Sequence, residues 1–229
     1  MLQAARAVQY DHAAMSDTRQ FSDRRDAGER LADALRERDV DADVVLAIPR
    51  GGLPLGRAVA DALDAPLDVA VASKIGAPGN PEYAIGAVAS DGTVWRNEDA
   101  IRRTGADEAY FEREREREAA VARAKAERYR ADRPPLDLAG KRVVLVDDGV
   151  ATGATARASL NLLAAADAER VVLALPVGPP DTVADLRTIA DDVVCLRTPS
   201  GFRGVGQFYE RFDQVSDEDA IAYLDGNER

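Results

Sequence analysis

Two residue types that build many active sites are almost absent from this chain. Its 229 residues include a single cysteine, Cys195, and a single histidine, His12. One cysteine cannot form an intramolecular disulfide, and the apolar run 193–196 around it indicates a buried strand residue rather than a nucleophile. His12 lies in a polar amino-terminal segment. Its position argues against histidine-based acid–base catalysis and against metal sites that need several histidines.

Long hydrophobic runs are absent as well. No stretch approaches the roughly 18 apolar residues of a membrane-spanning helix, and the amino terminus does not resemble a signal peptide. The low cysteine content fits a reducing compartment. We therefore expect a soluble, cytoplasmic protein without a membrane partner, and a hydrophobic fraction of 46% is enough for one substantial core.

Lysine is scarce, and the overall charge is strongly acidic. Only three of the 30 basic residues are lysines, namely Lys74, Lys125 and Lys141, and the formal net charge is −11. We interpret this composition as a halophilic adaptation to high intracellular salt, which screens the repulsion between carboxylates. A GC-rich genome that favours Arg, Ala and Asp is the competing explanation. The acidic surface argues against nucleic-acid binding, because duplex affinity comes largely from neutralising phosphates.

The most informative segment is typical of anion binding. Residues 143–155 read VVLVDDGVATGAT, and the first four predict a short buried strand. The small residues after it let backbone N–H groups approach an anion at the start of a helix expected over 156–166. Because successive side chains of an extended segment alternate, one of Asp147 and Asp148 can meet ligand hydroxyls while the other faces a metal or a basic partner. An ordinary turn of a doubly wound sheet is the alternative.

A second segment has the same organisation. Residues 44–49 predict another buried strand, and Arg50, Gly51 and Gly52 separate it from a helix expected over 53–63. The glycines permit backbone conformations that are closed to other residues, and the Arg50 guanidinium suits bidentate contact with phosphate. A tight turn carrying a solvated arginine is the alternative interpretation.

Together these segments resemble the ligand loops of the type I phosphoribosyltransferases. The likeness covers residues 21–224 and includes PRGG at 49–52, KIGAPGNPE at 74–82 and VGQFY at 205–209, as in a family of predicted phosphoribosyltransferases of bacteria and archaea. It implies a doubly wound, mainly parallel α/β sheet with helices on both faces and a small carboxyl-terminal hood. The alternation of predicted strands and helices independently favours such a sheet, with ligands at the carboxyl ends of its strands.

The resemblance also implies a binding site for phosphoribosyl diphosphate (PRPP). In this site Asp147 and Asp148 hold the ribose hydroxyls. The 5-phosphate contacts Gly149, Val150, Ala151, Thr152, Gly153, Ala154 and Thr155, and the diphosphate contacts Arg50, Gly51, Gly52 and Lys74. The implied catalytic residues are Asp147, Asp148, Arg50 and Lys74. The family's diphosphate loop has a strained or cis peptide, which we expect between Arg50 and Gly51.

The remaining chain divides into an extension, a core and a hood. The expected divisions are 1–20 for the extension, 21–198 for the core and 199–229 for the hood, with a flexible loop and hairpin insertion at 74–95 and a long helix at 107–130. Residues 74–82 hold two glycines and two prolines and predict a lid that closes over the site. A hairpin is expected over 84–95, and a helix capped by Ser22 is expected to run to Arg38.

The hood is the expected site of base recognition. Four of the chain's twelve aromatic residues lie within residues 202–212, and their rings can stack a planar base or pack against the sheet. Similarity to the 6-oxopurine enzymes implies base contacts from Phe202, Val205, Phe208 and Tyr209, and a metal contact from Asp213 beside those of Asp147 and Asp148. Ala151 stands where those enzymes carry an acidic residue, as in loops used for adenine, orotate or uracil.

The function that the resemblance implies is transfer of the 5-phosphoribosyl group between PRPP and a nitrogenous base, with release of pyrophosphate. Mg²⁺ is the expected cofactor, since it prefers oxygen ligands and retains waters. PRPP and the base are the expected partners, and a homodimer is a possible assembly. Two other interpretations stay open: a PRPP- or nucleotide-binding regulator on the same fold, and a hydrolase or phosphorylase acting on a nucleotide at the same site.

Overall fold

A computed structural model describes residues 20–130, 133–134 and 136–226. The extension expected over residues 1–20, with His12, lies outside this range apart from Gln20. The strands are β1 (Val44–Ala47), β2 (Leu67–Val69), β3 (Ala72–Ala77), β4 (Asn80–Ala89), β5 (Val94–Arg96), β6 (Arg142–Val146), β7 (Arg170–Val177) and β8 (Asp192–Arg197). The helices are α1 (Arg24–Arg36), α2 (Gly52–Leu63), α3 (Glu98–Thr104), α4 (Glu108–Arg130), α5 (Ala154–Ala165), α6 (Pro180–Leu186) and α7 (Asp217–Asp225).

Five strands form a parallel sheet in the order β2-β1-β6-β7-β8. Each strand pairs in parallel with its neighbours, so all five carboxyl ends lie at one edge. The chain moves outwards from β1 to β2 and then returns to the other side of β1 for β6, β7 and β8. The order therefore reverses between β1 and β6, where doubly wound sheets form their ligand crevice.

Helices cover both faces of this sheet, which confirms the predicted α/β fold. Val45 and Ala47 of β1 pack with α1, α2, α7 and the second half of α4, whereas Val44 and Leu46 pack on the opposite face with α5 and α6. Burial on both sides explains why the strands are continuous apolar runs instead of alternating ones. Within the described part of the chain, no helix combines the length and the apolar character that crossing a bilayer requires.

The segment expected to be a loop, residues 74–82, is part of a second sheet. β3 and β4 pair antiparallel around a turn at Pro78 and Gly79, and β5 adds the third strand. The prediction of an irregular loop over 74–82 is wrong, because Ile75 is fully buried against Phe111 of α4, and this packing outweighs the breaker residues nearby. The hairpin predicted over 84–95 is confirmed as β4 and β5.

Two helix boundaries also differ from expectation. Asp23, not Ser22, caps α1, since its carboxylate accepts the N–H groups of Arg25 and Asp26. The short helix α3 is additional, and the Asn97 side chain caps it. Cys195 lies partly buried on β8, where burial raises the pKa of its thiol to about 11. The thiol therefore stays protonated at neutral pH, in keeping with a structural role.

Breaking the ion pair between Asp68 and Arg130 should destabilise the protein strongly. Arg130 Nε lies 2.8 Å from Asp68 Oδ1, and the two side chains are only 12% and 9% exposed. The guanidinium also donates to the Val69 carbonyl and the Ser90 hydroxyl, so it joins α4 to β2 and to the β4–β5 turn. Arg130→Gln leaves a buried carboxylate without its partner and should cost about 3–5 kcal/mol of unfolding free energy.

Chemical denaturation measures this loss, and Arg142→Gln is its control. Arg142 pairs with Asp41 and Asp43 at an exposed edge, where ion pairs contribute little to stability. Equal losses in the two variants would contradict the importance assigned to the buried pair.

Candidate functional site

The candidate site lies where the strand order reverses, because the segments after β1 and β6 meet there. They approach so closely that a Cβ on Gly51 would lie 2.6 Å from Cγ of Asp148 and overlap its carboxylate. A Cβ on Gly52 would lie 2.8 Å from the carbonyl oxygen of Val146. Real Cβ atoms do not tolerate such distances, so glycine is required at both positions. The structure thus brings the two predicted anion-binding segments together.

The segment between β1 and α2, residues 49–51 and here called the first loop, contains a cis peptide one residue earlier than expected. The cis bond joins Pro49 to Arg50, so its expected position between Arg50 and Gly51 is wrong. Gly51 already has helical backbone angles, φ −61° and ψ −32°, as the N-cap of α2. The Gly52 N–H donates to the Ile48 carbonyl at 3.0 Å. The Arg50–Gly51 peptide therefore lies in the turn that leads into α2, and the cis bond precedes it.

The segment after the two aspartates, residues 149–155 and here called the second loop, exposes the start of α5 to solvent. Gly153 is its N-cap in the left-handed conformation, φ 71°, and has no side chain that could cap the helix; the nearest side-chain acceptor is the Thr152 hydroxyl, 3.5 Å from the Ala154 nitrogen. The loop is anchored from behind by hydrogen bonds from Val150 N–H to the Val177 carbonyl and from the Thr182 hydroxyl to the Ala151 carbonyl, each 3.0 Å long. The exposed residues of the loop are Ala151, Thr152, Ala154 and Thr155. An uncapped, accessible helix start suits an anion such as a phosphate group.

The two carboxylates between these loops differ in their partners. Asp147 Oδ1 accepts the N–H of Asp148 at 2.9 Å. The Asp148 carboxylate instead meets Arg24, whose Nε lies 2.8 Å from its Oδ2. Desolvation raises the pKa of Asp147 well above its ordinary value, and the charge of Asp148 raises it further. Desolvation also raises the pKa of Asp148, but Arg24 opposes this shift.

Arg24 is a site residue that the sequence did not indicate. It is the first residue of α1 and lies 124 positions before Asp148 in the chain. Its Nη1 also donates to the Asp213 carbonyl at 2.6 Å, and its guanidinium lies 3.8 Å from the ring centroid of Phe212. A basic partner for one of the two aspartates was among the expectations, but nothing in the sequence of a capped amphipathic helix identifies which arginine supplies it.

Arg50 is held by the carboxyl-terminal helix. Its Nη1 lies 3.2 Å from Oδ1 of Asp217, at the start of α7. The other oxygen of Asp217 lies 3.2 Å from Nη1 of Arg128, and the Tyr129 hydroxyl donates to Oδ1 at 3.3 Å. Asp217 is a second residue that the sequence analysis missed, because it lies 167 positions from Arg50. The Arg50 side chain is therefore anchored on α7 while its backbone forms the first loop.

Lys74 lies on β3 of the second, three-stranded sheet, here called the small sheet, where it pairs with Ala87 of β4. Alternate residues of a strand share a face, so Lys74 lies on the face that includes Ala72 and Ala87. This face packs against Ala158 and Leu162 of α5. Lys74 is therefore on the side of the small sheet that faces the helix following the second loop.

The aromatic residues of the hood divide into buried and accessible ones. Phe208 and Tyr209 are only 9% and 4% exposed, and the Tyr209 ring packs against Phe21 at a centroid distance of 5.3 Å. The Tyr209 hydroxyl donates to the Asp148 carbonyl at 2.7 Å. Phe202, which stacks on Phe208, and Val205 are partly exposed. Of the residues expected to contact a base, these last two have the more accessible surface.

Val205 also connects the hood to the second loop. A Cβ on Gly149, where φ is +143°, would lie 2.8 Å from Cγ1 of Val205. The hood therefore packs directly against the start of the second loop, and the glycine makes this contact sterically possible.

The expected metal contacts do not form a three-carboxylate centre. The described residues contain no group of three or more His, Cys, Asp or Glu side chains placed to hold a metal ion. Asp213 is exposed, and its carbonyl oxygen is bonded to Arg24. Asp147 and Asp148 remain as oxygen donors. Two carboxylates suit a magnesium ion that takes its other ligands from a substrate and from water.

The chain is similar to known proteins over most of its length. Residues 20–210 match the family model described as "Phosphoribosyl transferase domain". Two curated proteins from Mycobacterium tuberculosis strains H37Rv and CDC 1551, both named "Putative phosphoribosyl transferase", are 46% identical to it over 205 residues, which is 90% of this chain and 46% of theirs. The chain thus spans about half the length of these relatives. The crystal structure of TT1426 from Thermus thermophilus is 46% identical, with a TM-score of 0.83 over 90% of this chain and 97% of that chain.

Asp147→Asn should make the protein more stable at neutral pH. The pKa of Asp147 is raised in the folded state, so that state favours the protonated carboxyl and loses stability as the pH rises through this pKa. Asparagine removes the dependence. We expect a melting temperature above that of the wild type at pH 7, with the difference closing towards pH 4, about the ordinary pKa of aspartate.

Asp148→Asn is the contrasting variant, because it leaves Arg24 nearly buried without its carboxylate. Because Arg24 offsets part of the cost of burying the Asp148 charge, we expect the melting temperature of Asp148→Asn at pH 7 to be lower than that of Asp147→Asn. Thermal melts of both variants between pH 4 and pH 8 test the assignment. A stabilising effect of Asp147→Asn that did not change with pH would show that the buried charge is not its cause.

Gly51→Ala should disrupt the site, because its Cβ would occupy the position of the Asp148 carboxylate. We expect a lower melting temperature and a displaced Asp148 side chain in a crystal structure. Gly201→Ala is the matched control, since no atom lies within 4 Å of a Cβ placed there. Unchanged stability of Gly51→Ala would contradict the close approach of the two loops.

Proposed function

Because the chain belongs to the phosphoribosyl transferase domain family, whose model matches residues 20–210, we propose that it transfers the 5-phosphoribosyl group between PRPP and a nitrogenous base. The base nitrogen attacks C1 of the ribose while the bond from C1 to the diphosphate oxygen breaks, so pyrophosphate leaves. The observation that carries this proposal is the meeting of two anion-binding loops and two carboxylates at the reversal of strand order.

The carboxylates are the proposed ribose contacts. Asp147 and Asp148 follow β6 directly, and carboxylate oxygens can accept hydrogen bonds from the two ribose hydroxyls. The 5-phosphate would lie on residues 149–155, where the start of α5 is exposed and uncapped. These two contacts fix the sugar at both ends. Such positioning accounts for much of the rate of a reaction that needs little covalent chemistry from the protein.

The first loop is the proposed diphosphate site. Gly51 and Gly52 allow the backbone to come close to the leaving group. Arg50 adds positive charge, and its link to Asp217 leaves other guanidinium donors for the diphosphate, because a guanidinium carries five N–H donors. Lys74 is the proposed second cation, and its position on the face of the small sheet that packs against α5 supports this proposal. Cations aimed at the departing oxygens would stabilise the charge that develops there.

Magnesium is the proposed cofactor, held by Asp147 and Asp148 and largely by oxygens of the substrate. When bound, it would neutralise charge on the diphosphate and so make that group a better leaving group. We do not assign Asp213 to it, since the Asp213 carbonyl is bonded to Arg24 and the described residues contain no three-carboxylate cluster.

The hood, residues 199–229, is the proposed base side of the site and the core, residues 21–198, its sugar and phosphate side. Phe202 and Val205 are the surfaces that we propose for the base, because Phe208 and Tyr209 are buried. Ala151 is exposed and cannot exchange a proton with a base. This favours bases that need no acidic residue at that position, such as adenine, orotate or uracil, over 6-oxopurines.

A regulatory protein that binds PRPP or a nucleotide without turnover is the second candidate. The burial of Phe208 and Tyr209 favours it, because these rings then offer little surface for stacking an acceptor. Both candidates predict that a phosphorylated ribose ligand, PRPP or a nucleotide, binds at the same loops. They differ in whether pyrophosphate is released.

The deciding experiment measures pyrophosphate release with PRPP, Mg²⁺ and a panel of purines, pyrimidines and related heterocycles. It should be run in molar salt as well as in ordinary buffer, because the net charge of −11 is the basis of the proposed halophilic adaptation. We expect release that requires one of the bases and falls at least about a hundredfold in the Asp147→Asn, Asp148→Asn double variant.

Tight PRPP binding without release under any base would favour the regulatory candidate. Release without an added base would instead indicate hydrolysis. Absence of PRPP binding would overturn the transferase, and absence of nucleotide binding as well would overturn both candidates.

A further inference from the structure

Arg24 occupies the junction between the two sides of the site. Its Nε lies 2.8 Å from Asp148 Oδ2, its Nη1 donates to the Asp213 carbonyl at 2.6 Å, and its guanidinium lies 3.8 Å from the ring centroid of Phe212. The Arg24 side chain is 12% exposed. One guanidinium thus contacts a carboxylate proposed for the ribose and two residues of the hood.

The backbone fixes Arg24 in this position. The Phe21 N–H donates to the Phe208 carbonyl, and the Glu210 N–H donates to the Phe21 carbonyl, both at 2.7 Å. Asp23 then caps α1, so Arg24 starts the helix at a defined point. Because the chain before Arg24 is bonded to the hood like a neighbouring strand, Arg24 and the hood form one structural unit.

Asp148 is held by this unit at two places. Arg24 binds its carboxylate, and the Tyr209 hydroxyl donates to its carbonyl oxygen at 2.7 Å. Gly51 lies against the other side of the carboxylate. With contacts on these sides, the Asp148 side chain has little freedom to rotate, and restricting a ligand-binding group before the ligand arrives lowers the entropic cost of binding.

We infer that Arg24 is a positioning residue. It holds the Asp148 carboxylate in place for the ribose, and it holds the hood segment 209–213 beside that carboxylate. This inference rests on the proposed function and adds a residue to it. Arg24 does not contact the reacting atoms in this assignment. It acts through Asp148 on the sugar side and through Phe212 and the Asp213 carbonyl on the base side.

The arginine side chain is suited to both tasks, whereas lysine is suited to one. A guanidinium is planar, can stack on an aromatic ring and donates in several fixed directions at once, whereas an ammonium is a compact point charge. Arg24→Lys should therefore keep the ion pair with Asp148 and lose the combined contacts with Phe212 and Asp213. Arg24→Gln should lose the charge as well.

The test compares PRPP affinity and base affinity in these variants. Calorimetry with PRPP and Mg²⁺ should give a dissociation constant at least about tenfold weaker for Arg24→Gln, as expected for loss of a hydrogen bond to a charged group, and within about threefold of the wild type for Arg24→Lys. Initial rates with adenine, orotate and uracil should show a raised KM for the accepted base in both variants. Lysine at position 24 should therefore restore the affinity for PRPP but not the KM of the base.

Two further variants separate this role from general stability. Arg25→Gln is the control, because Arg25 is the next residue, is 67% exposed and pairs with Glu29 on the helix surface; it should leave both affinities unchanged. Phe212→Leu should raise the KM of the base while PRPP affinity stays near that of the wild type. Thermal melts identify any variant that fails to fold. If Arg24→Gln does not fold, the PRPP affinity and the base KM of Arg24→Lys decide whether the inference holds.

The outcomes distinguish this inference from the proposed function. If the wild type binds PRPP and Arg24→Gln binds it equally well, the inference is wrong and the proposed function stands. If lysine fails to restore PRPP affinity in a folded protein, the ion pair is not the relevant contact and the inference is also wrong. If the wild type itself shows neither PRPP binding nor release, the proposed function fails, and the inference fails with it.

Discussion

The close approach of the β1 loop to the end of β6 is the constraint on which the candidate site depends. β1 and β6 are hydrogen-bonded neighbours, and the chain leaves them in opposite directions. The loops that follow the two strands therefore lie side by side at the carboxyl edge of the sheet, separated by no more than the distance between neighbouring strands. Gly51 and Gly52 allow this, because any Cβ there would meet Asp148 or the Val146 carbonyl. The same contact brings the two glycines and the two carboxylates together at one point of the sheet edge.

This arrangement places two carboxylates side by side in a position where desolvation disfavours their charged forms. Asp147 and Asp148 are adjacent, and desolvation raises the pKa of both. Arg24 compensates Asp148 directly, whereas Asp147 accepts a backbone N–H. A structure selected only for stability would not keep two carboxylates together in this way, and sites that do so are typically functional. The local instability is thus consistent with a site adapted to bind polar ligand groups and cations.

The sequence was sufficient for the parts of the structure that depend on local pattern. Apolar runs such as 143–146 and the small residues after them predicted the strands, the loops and their position at one edge of the sheet. Contacts between distant residues could not be predicted this way. Arg24 meets Asp148 across 124 positions and Arg50 meets Asp217 across 167, and no local pattern identifies either partner. The loop predicted over 74–82 is wrong for a related reason, because the burial of Ile75 in one apolar cluster with Phe111 is a tertiary arrangement. Closure of this segment over the site stays a prediction.

The hood shows that composition cannot separate aromatic rings that pack in the core from rings that are open to a ligand. Its aromatic cluster suggested a stacking surface, yet Phe208 and Tyr209 are buried with Phe21 in the large apolar cluster on one face of the main sheet, and the Tyr209 hydroxyl binds the Asp148 carbonyl. The segment continues into α7, where Asp217 holds Arg50. One stretch of chain, residues 208–217, is thus bonded to residues of both ligand loops. Since those aromatic rings are used for support, accessible surface beside the candidate site remains at residues 151, 202 and 205. Substitutions at these positions would change that surface and leave the support of Arg24 and Asp148 intact.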